Sequence, residues 1–355
     1  METSGSEKCL VTGLMSGTSL DGVDIVLCGF EKSNQGWNYE VIDAETIPYP
    51  VDWQKKLVEA ETINAIEFIK LNREYGNFLG IKVKEFLKGR HTDLIASHGH
   101  TIFHQPDSGV TFQLGCGYSI AAQVKVPVVF DFRTSDVVLG GQGAPLVPAG
   151  DKLLFQKYDA CLNLGGFSNI SFNKNNQRIA FDISPANIAL NYFTKFMNKD
   201  FDLNGSLGKS GKTIPYLLEK INAMDYYRQI PPKSLGKEWF VTEFLPLIPE
   251  RNLEIKDVLN TLYHHISDQI SYVINNNPIQ NVLVSGGGAH NEFLMQLIIE
   301  KVKAEIIIPD NDIIDFKEAI IFAFLGLLRT RNEINILSSV TGARENSSGG
   351  VLVEI

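Results

Sequence analysis

Near the start of the chain, two apolar runs flank a turn of small, hydroxyl and carboxylate residues, Gly13-Leu14-Met15-Ser16-Gly17-Thr18-Ser19-Leu20-Asp21-Gly22-Val23-Asp24. Residues 10–15 predict a short strand and residues 23–27 its partner, so the residues between them must turn tightly. In such a turn backbone N–H groups can approach an anion closely, because no bulky Cβ intervenes. The composition is typical of a phosphate site, and an ordinary Asp-Gly hairpin is the alternative.

Two carboxylates in this turn, Asp21 and Asp24, would repel an anion that bound there alone. Mg²⁺ binds through one or two carboxylates together with phosphate oxygens and water. The pair therefore predicts that a divalent cation accompanies the phosphate.

The composition predicts a folded protein of two domains, because the chain has 355 residues and 44% of them are hydrophobic. A net charge of −9 argues against nucleic acid as a main partner. Four scattered cysteines favour a reducing cytoplasm, and the polar first residues lack a signal peptide's apolar region. The longest apolar run, residues 319–328, predicts a buried helix, because a membrane span needs about twenty residues.

The first half of the chain predicts an α/β sheet. Residues 10–15, 23–30 and 39–47 predict three antiparallel strands, and residues 53–87 have mostly helical apolar spacing. Further strands are predicted at 94–96 and 126–130, each running into a polar loop. In such sheets the binding site lies at the strand ends.

The second half restarts the same pattern. Strands are predicted at 160–164, 170–172 and 179–183, with Gly165-Gly166 in the first turn. A helix over 255–274 precedes a βαβ unit with strands at 281–284 and 305–308 and a helix over 292–302. A last helix is predicted over 316–329 behind Asp315 as its N-cap. The two openings indicate a duplicated domain plan.

Three further positions are candidates for chemistry. Asp182 should emerge at a strand end, which suits a general base, although an Asp-x-Ser turn that starts a helix is the alternative. Glu318 is unusual in an apolar helix, unless it is a first-turn acid that suits the helix dipole. The glycines of the run 285–291 place backbone N–H groups before a helix, where a nucleotide could lie.

Polar residues after the strands of the first half allow several interpretations. His98, His100 and His104 lie close together, but their context fits hydrogen bonding better than a metal site. Arg133 could hold an anion or a sugar, or it could pair with Asp131 or Asp136. Residues 140–145 predict an irregular loop that a ligand approaches or that acts as a hinge.

Beyond these separate features, the chain resembles the anhydro-N-acetylmuramic acid kinases from end to end. The motifs that carry the resemblance are, in chain order, Ser16-Gly17-Thr18-Ser19-Leu20-Asp21-Gly22-Val23-Asp24, Ser97-His98-Gly99-His100-Thr101, Asp131-Phe132-Arg133, residues 140–148, Asn163-Leu164-Gly165-Gly166, Phe181-Asp182, residues 285–291, Lys317-Glu318-Ala319 and Val340-Thr341-Gly342-Ala343.

The resemblance implies an α/β fold of the actin, sugar kinase and Hsp70 type, in which two duplicated ribonuclease-H-like domains with mixed sheets bind ATP and sugar in a cleft between them. We expect the first domain to cover residues 1–133 with about 335–355, and the second to cover 134–334. The implied reaction opens a 1,6-anhydro muramic sugar with water while O6 receives the γ-phosphate of ATP. The resemblance also suggests a homodimer.

The site residues that the resemblance implies fall into three groups. Asp182 is the base that activates water. Thr101, Arg133 and Glu318 line the sugar pocket. ATP and Mg²⁺ are bound by Gly17, Thr18, Ser19, Leu20, Asp21, Gly22, Val23, Asp24, Gly165, Gly166, Gly286, Gly287 and Gly288, with Asp21 and Asp24 facing the metal.

The sequence departs from the family pattern after Asp182. Many members carry Thr-Gly-Pro-Gly-Asn there, whereas this chain has Ile183-Ser184-Pro185-Ala186-Asn187. Full activity, a changed sugar preference, and a paralogue that binds sugar or nucleotide without turnover are the alternatives. A kinase of the same fold that acts on an ordinary sugar hydroxyl is a further one.

Overall fold

The computed structural model describes residues 8–17, 20–248 and 253–355. They divide into two compact units, one from Met1–Gln156 with Phe316–Ile355 and one from Lys157–Asp315. The strands of the first unit are β1 Cys9–Ser16, β2 Gly22–Ser33, β3 Gly36–Pro48, β4 Leu94–Gln105, β5 Val110–Leu114, β6 Val128–Phe130 and β12 Val351–Val353. Its helices are α1 Val51–Glu59, α2 Ala65–Leu87, α3 Gly117–Val124, α4 Thr134–Val138, α5 Val147–Leu154, α12 Asn311–Thr330, which begins within the second unit, and α13 Ser338–Thr341.

The second unit has a smaller sheet and more short helices. Its strands are β7 Ala160–Leu164, β8 Phe167–Lys174, β9 Gln177–Pro185, β10 Asn281–Ser285 and β11 Glu305–Ile307. Its α-helices are α6 Asn187–Thr194, α7 Ser206–Lys209, α8 Pro215–Asn222, α9 Lys237–Trp239, α10 Ile255–Asn275 and α11 Glu292–Lys301. Short 3₁₀ turns at Asp225–Arg228 and Gly287–His290 also belong to this unit.

Both sheets are built on the same plan. The first has the order β12-β6-β4-β1-β2-β3, with β5 paired to β4, and the second has the order β11-β10-β7-β8-β9. In each, three consecutive strands form an antiparallel meander, β1 to β3 and β7 to β9. Two later strands then add in parallel beside the first strand of the meander, β4 and β6 in one unit, β10 and β11 in the other. The predicted α/β class, with two duplicated mixed sheets flanked by helices, is confirmed.

Helices bury both faces of the first sheet. On one face, side chains of β2 at alternate positions pack with α2, among them Val23, Ile25 and Leu27. On the other face α12 lies so close to β1 that a Cβ on Gly13 would stand 2.2 Å from the Ala319 carbonyl oxygen. This close approach explains why the apolar run 319–328 is almost completely buried. None of the described helices is long and apolar enough to cross a membrane.

Most predicted elements are confirmed, including the three opening strands, the two helices after them, and the βαβ unit of β10, α11 and β11. The predicted start of the last helix was wrong. α12 begins at Asn311, and the Asp310 carboxylate accepts a hydrogen bond from the Ile313 amide at 3.1 Å. Asp315 is therefore not an N-cap, and Glu318 is not a first-turn acid.

The limits of the two units differ from the domain boundaries expected at 133/134 and about 334/335. The difference comes from α5 and most of α12, which pack with the first sheet. Gly150 of α5 lies against Ile321 of α12, where a Cβ would stand 2.5 Å from the Ile321 side chain. The assignment of two ribonuclease-H-like domains with those boundaries stays a prediction.

Candidate functional site

The turn between β1 and β2 contains most of the residues predicted to bind phosphate. Thr18 and Ser19 lie outside the described residues. Leu20 adopts a φ of 63° and Asp21 is exposed. Asp24 pairs with Met15 across the two strands, and its carboxylate accepts a hydrogen bond from the Thr46 hydroxyl at 2.6 Å. The connection is a hairpin in its topology, and its binding of phosphate stays a prediction.

A buried hydroxyl cluster lies beneath this turn. The Ser16 hydroxyl is 2.5 Å from that of Tyr49 and accepts a hydrogen bond from that of Tyr75 at 3.1 Å. His100 Nδ1 lies 3.0 Å from the same Ser16 oxygen, and burial lowers the His100 pKa to about 4. Ser16 is the last residue of β1, so the cluster fixes the strand end from which the turn departs. Neither tyrosine belongs to a motif that indicates a site in the sequence.

Arg133 is held by a neutral histidine. Its Nε and Nη2 lie 3.1 and 2.7 Å from His98 Nε2, and its Nη1 donates to the Gly143 carbonyl at 2.6 Å. Burial, followed by the charge of Arg133, holds the His98 pKa well below its ordinary value, so His98 can accept at Nε2 while Nδ1 donates to the Gly99 carbonyl. Arg133 is bonded to His98 and Gly143 and not to Asp131 or Asp136.

Asp136 organises the irregular glycine loop. Its carboxylate is fully buried and accepts hydrogen bonds from the Gly143 amide at 2.7 Å and from the Thr341 hydroxyl at 2.8 Å. The glycine loop and Thr341, which is 205 positions from Asp136, therefore meet at one carboxylate. The loop is irregular as predicted, with positive φ at Gly140 and Gly143.

Glu318 lies among charges of both signs. Burial raises its pKa, the positive charges of Lys317 and Arg133 lower it, and the negative charge of Asp24 raises it. Lys317 is itself buried and forms an ion pair with Asp151 of α5 at 3.0 Å. The structure thus brings Asp24, Arg133 and Glu318 into one electrostatic neighbourhood. Thr101 is half-buried on β4, opposite Gln113 of β5.

In the second unit the two predicted glycine turns lie side by side. β7 and β10 are parallel neighbours, and Ser285 pairs with Asn163 just before the turns begin. Gly286 has a φ of 83°, and a Cβ on it would stand 2.4 Å from the Asn163 side chain. A Cβ on Gly288 would stand 2.7 Å from the Leu164 side chain, whereas a Cβ on Gly287 would meet no atom within 4 Å.

The altered loop after Asp182 closes against the Gly165-Gly166 turn. The amides of Ala186 and Ile188 donate to the Gly166 carbonyl at 2.9 and 3.0 Å. Ser184 and Ala186, which replace the two family glycines, are both fully buried. The Ser184 hydroxyl lies 3.0 Å from that of Ser168. Both side chains are thus accommodated within the unit.

Asp182 lies on β9, as predicted, and its carboxylate is partly buried. Leu235 N–H donates to Oδ2 at 2.8 Å. Burial raises the pKa of this carboxyl to about 6, although the Leu235 hydrogen bond opposes the shift. A carboxylate with this pKa is ionised at neutral pH but holds a proton more readily than an ordinary aspartate, which suits a general base.

No group of three or more His, Cys, Asp or Glu side chains suited to a metal ion occurs in the described part of the chain. The three clustered histidines have separate partners: His98 contacts Arg133, His100 contacts Ser16, and His104 lies 3.1 Å from the Thr111 hydroxyl.

Comparison with known proteins places the chain in one family. The family model described as anhydro-N-acetylmuramic acid kinase matches residues 9–354. A protein of that name from Francisella tularensis subsp. novicida is 34% identical and covers 96% of this chain and 97% of its own length. One from Aliivibrio fischeri is also 34% identical, with 96% and 98% covered.

Among solved structures, a ROK family glucokinase from Streptomyces griseus in complex with glucose and AMPPNP covers 90% of this chain and 99% of its own. The two share 11% identity with a TM-score of 0.44. The match over residues 9–354 and the two relatives lead to one conclusion: the chain belongs to the anhydro-N-acetylmuramic acid kinase family.

Proposed function

We propose that this kinase opens 1,6-anhydro-N-acetylmuramic acid with water and phosphorylates O6, giving N-acetylmuramic acid 6-phosphate and ADP. The observation that carries the proposal is Asp182, a partly buried carboxyl with a pKa of about 6, in a Phe181-Asp182 pair that is one of the motifs carrying the resemblance. A protein that only binds a sugar has no need for a base with such a pKa.

Opening of the anhydro bridge by water supplies the O6 nucleophile for phosphoryl transfer. Asp182 takes a proton from water, and the water oxygen forms a bond to the anomeric carbon. The bond between the anomeric carbon and O6 breaks, and O6 attacks the γ-phosphorus of ATP as ADP leaves. Water must lie within hydrogen-bond reach of the carboxylate, while phosphoryl transfer depends mainly on alignment and neutralisation of charge.

For ATP, we propose the turn from Gly17 to Asp24 and the glycines of the second unit. Gly165, Gly166 and Gly286 to Gly288 lie at the ends of β7 and β10, and Gly166 and Gly287 are exposed there. Asp21 is exposed, and Asp24 is near enough to Glu318 that its charge adds to the effect of burial, which raises the Glu318 pKa. Carboxylate oxygens of this kind fit Mg²⁺, which would neutralise phosphate charge when bound.

For the sugar, we propose contacts from Thr101, Arg133 and Glu318. Arg133 has a planar guanidinium whose orientation is fixed by His98 and by the Gly143 carbonyl. Such a group suits the recognition of a carboxylate, and the lactyl substituent of a muramic sugar carries one. Glu318 offers an acceptor for sugar hydroxyls.

We also propose a cytoplasmic location and a homodimer. The chain has only four cysteines, and they are scattered, as expected of a protein in a reducing compartment that supplies ATP. The homodimer is suggested by the family resemblance alone.

The test is turnover in ¹⁸O-labelled water with Mg-ATP and 1,6-anhydro-N-acetylmuramic acid, followed by mass spectrometry. We expect label at the anomeric hydroxyl, phosphate on O6 and loss of turnover when EDTA removes Mg²⁺. N-acetylglucosamine serves as a control that lacks the anhydro bridge. Phosphorylation of this control without turnover of the anhydro sugar would assign the chain to another amino sugar, and no turnover of either would refute the proposal.

A further inference from the structure

Asp182 lies at an irregular point on the edge strand of the second sheet. β9 is the edge strand of its sheet. Its pairing with β8 passes from Ser168 and Ser184 directly to Asn169 and Asp182, so Ile183 is an extra residue that forms a bulge. Bulges redirect neighbouring side chains and are common beside active sites. The main-chain groups of an edge residue also need partners outside the ladder.

One segment, residues 226–235, provides those partners. The Asp182 amide donates to the Lys233 carbonyl at 3.4 Å, and the Asp182 carbonyl accepts from the Tyr226 hydroxyl at 2.6 Å. Leu235 N–H then binds the side chain at Oδ2. Backbone and carboxylate are thus held at three points, and no hydrogen bond to Oδ1 is found among the described residues.

The segment is closed upon itself by Lys233. Its Nζ donates to the Tyr226 carbonyl at 3.0 Å and lies 4.4 Å from the centroid of the Tyr226 ring. It also lies 5.6 Å from the ring of Phe181, the neighbour of Asp182. The Tyr226 ring in turn packs on Trp239, with centroids 5.3 Å apart. Lys233 therefore joins the two ends of the segment over the aromatic rings.

We propose that Tyr226, Lys233 and Leu235 form a positioning clamp that fixes the Asp182 carboxylate through Oδ2 and leaves Oδ1 to accept the proton. The clamp deepens the proposed function and rests on it, because it acts through the base. Its residues do not touch the reacting atoms. If the clamp loosens, the Leu235 hydrogen bond weakens, the charged carboxylate loses a donor, and the Asp182 pKa rises further.

The experiment compares two clamp variants with matched controls. Tyr226→Phe removes the hydroxyl and keeps the ring, and Lys233→Met removes the ammonium and keeps an apolar stem. Tyr216→Phe and Lys237→Met make the same changes at exposed positions of this unit. The measurement is the pH dependence of kcat/KM for the anhydro sugar, with the KM for ATP determined in parallel.

In the clamp variants we expect the acid limb of the profile to move up by about one pH unit, so that kcat/KM at pH 6 falls about fivefold and recovers near pH 8. The KM for ATP and both control profiles should not change. Lys233→Arg, which keeps a donor for the Tyr226 carbonyl, should restore the limb.

Two results would overturn the clamp: folded variants with an unshifted limb, or identical behaviour of Lys233→Met and Lys233→Arg. The comparison of Lys233→Met with Lys233→Arg still tests the clamp if Tyr226→Phe does not fold. Failure of the proposed function is a separate outcome: the parent protein would not turn over the anhydro sugar, or Asp182→Asn would retain turnover, whatever the clamp variants do.

Discussion

Asp182 carries a cost in stability that follows from its suitability as a base. Its pKa is about 6 in the folded protein, against an ordinary value of 3.8. Between these two pH values the folded state binds more protons than the unfolded state, so the stability gained from this proton is lost as the pH rises through 6. The shift corresponds to at most about 3 kcal/mol at neutral pH.

Asp182→Asn should therefore lower turnover and raise stability. We expect turnover to fall about a hundredfold or more, as for the loss of a general base. The free energy of unfolding in urea should increase at pH 7.5 by up to about 3 kcal/mol, and by much less at pH 4.5. Asp225→Asn is the control, because that side chain is 95% exposed. An equal gain at both pH values would show that charge burial is not the cause.

The sequence could identify this residue but not its surroundings. An acid directly after an apolar run is a local pattern, and so is the unusual glutamate at 318. The partners of Asp182 are distant, since Tyr226 is 44 positions away and Leu235 is 53. No periodic or turn pattern in residues 226–235 indicates which strand they will cover. Arg133 was likewise recognised as a candidate, while its bonds to His98 and Gly143 were not.

At the scale of elements, two neighbouring glycines of the run 285–291 differ in their tolerance of a side chain. Gly286 combines a φ of 83° with a Cβ position 2.4 Å from Asn163, whereas Gly287 has open space around its Cβ position. A side chain at Gly286 would strain the backbone and force β7 and β10 apart at the proposed nucleotide site.

We accordingly expect Gly286→Ala to destabilise the protein by about 2 kcal/mol or more and to weaken binding of AMP-PNP with Mg²⁺. Gly287→Ala is the matched control and should unfold like the parent protein. Thermal unfolding with and without nucleotide measures both effects. If both variants lose nucleotide binding and neither changes its melting temperature, glycine is required there for contact with the ligand. The packing of the strands would then not be the reason.

Elements with strong local signals were the ones predicted best. The opening strands and the βαβ unit were found because alternating apolar residues end at glycine or proline turns. The start of α12 was misplaced because Asp310 and Asp315 are both plausible caps, and packing decides between them. β4 also continues to Gln105, well beyond residues 94–96, since its second half is paired with β5 at an irregular register.

At the scale of the whole molecule, the duplication was visible in sequence because each unit opens with the same meander. The limits of the two units were harder to predict, because the composition of α5 and α12 does not indicate which sheet these helices cover. Burial in both units also has a common electrostatic consequence. His98 and His100 in the first unit and His265 in the second are buried, and burial lowers the pKa of all three.

These three histidines should make the protein sensitive to mild acid. His265 has a pKa of about 3 and lies between the Tyr227 hydroxyl and the Asn222 amide oxygen. The unfolded chain takes up protons below about pH 6.5 that the folded histidines exclude, so stability is complete above that pH and is lost as the pH falls.

At pH 5 His100 and His265 should each cost about 2 kcal/mol, which exceeds the opposing gain from Asp182 of about 1.5 kcal/mol, and the burial of His98 acts in the same direction as the other two. We expect the urea midpoint to fall steadily from pH 7 to pH 5. His265→Gln keeps an uncharged hydrogen-bonding side chain and should reduce this slope by removing one titrating group, even if it lowers stability at pH 7. A urea midpoint that does not change between pH 7 and pH 5 would contradict this expectation. It would mean that burial imposes no penalty on protonation of these histidines, because water or structural relaxation solvates their charged form.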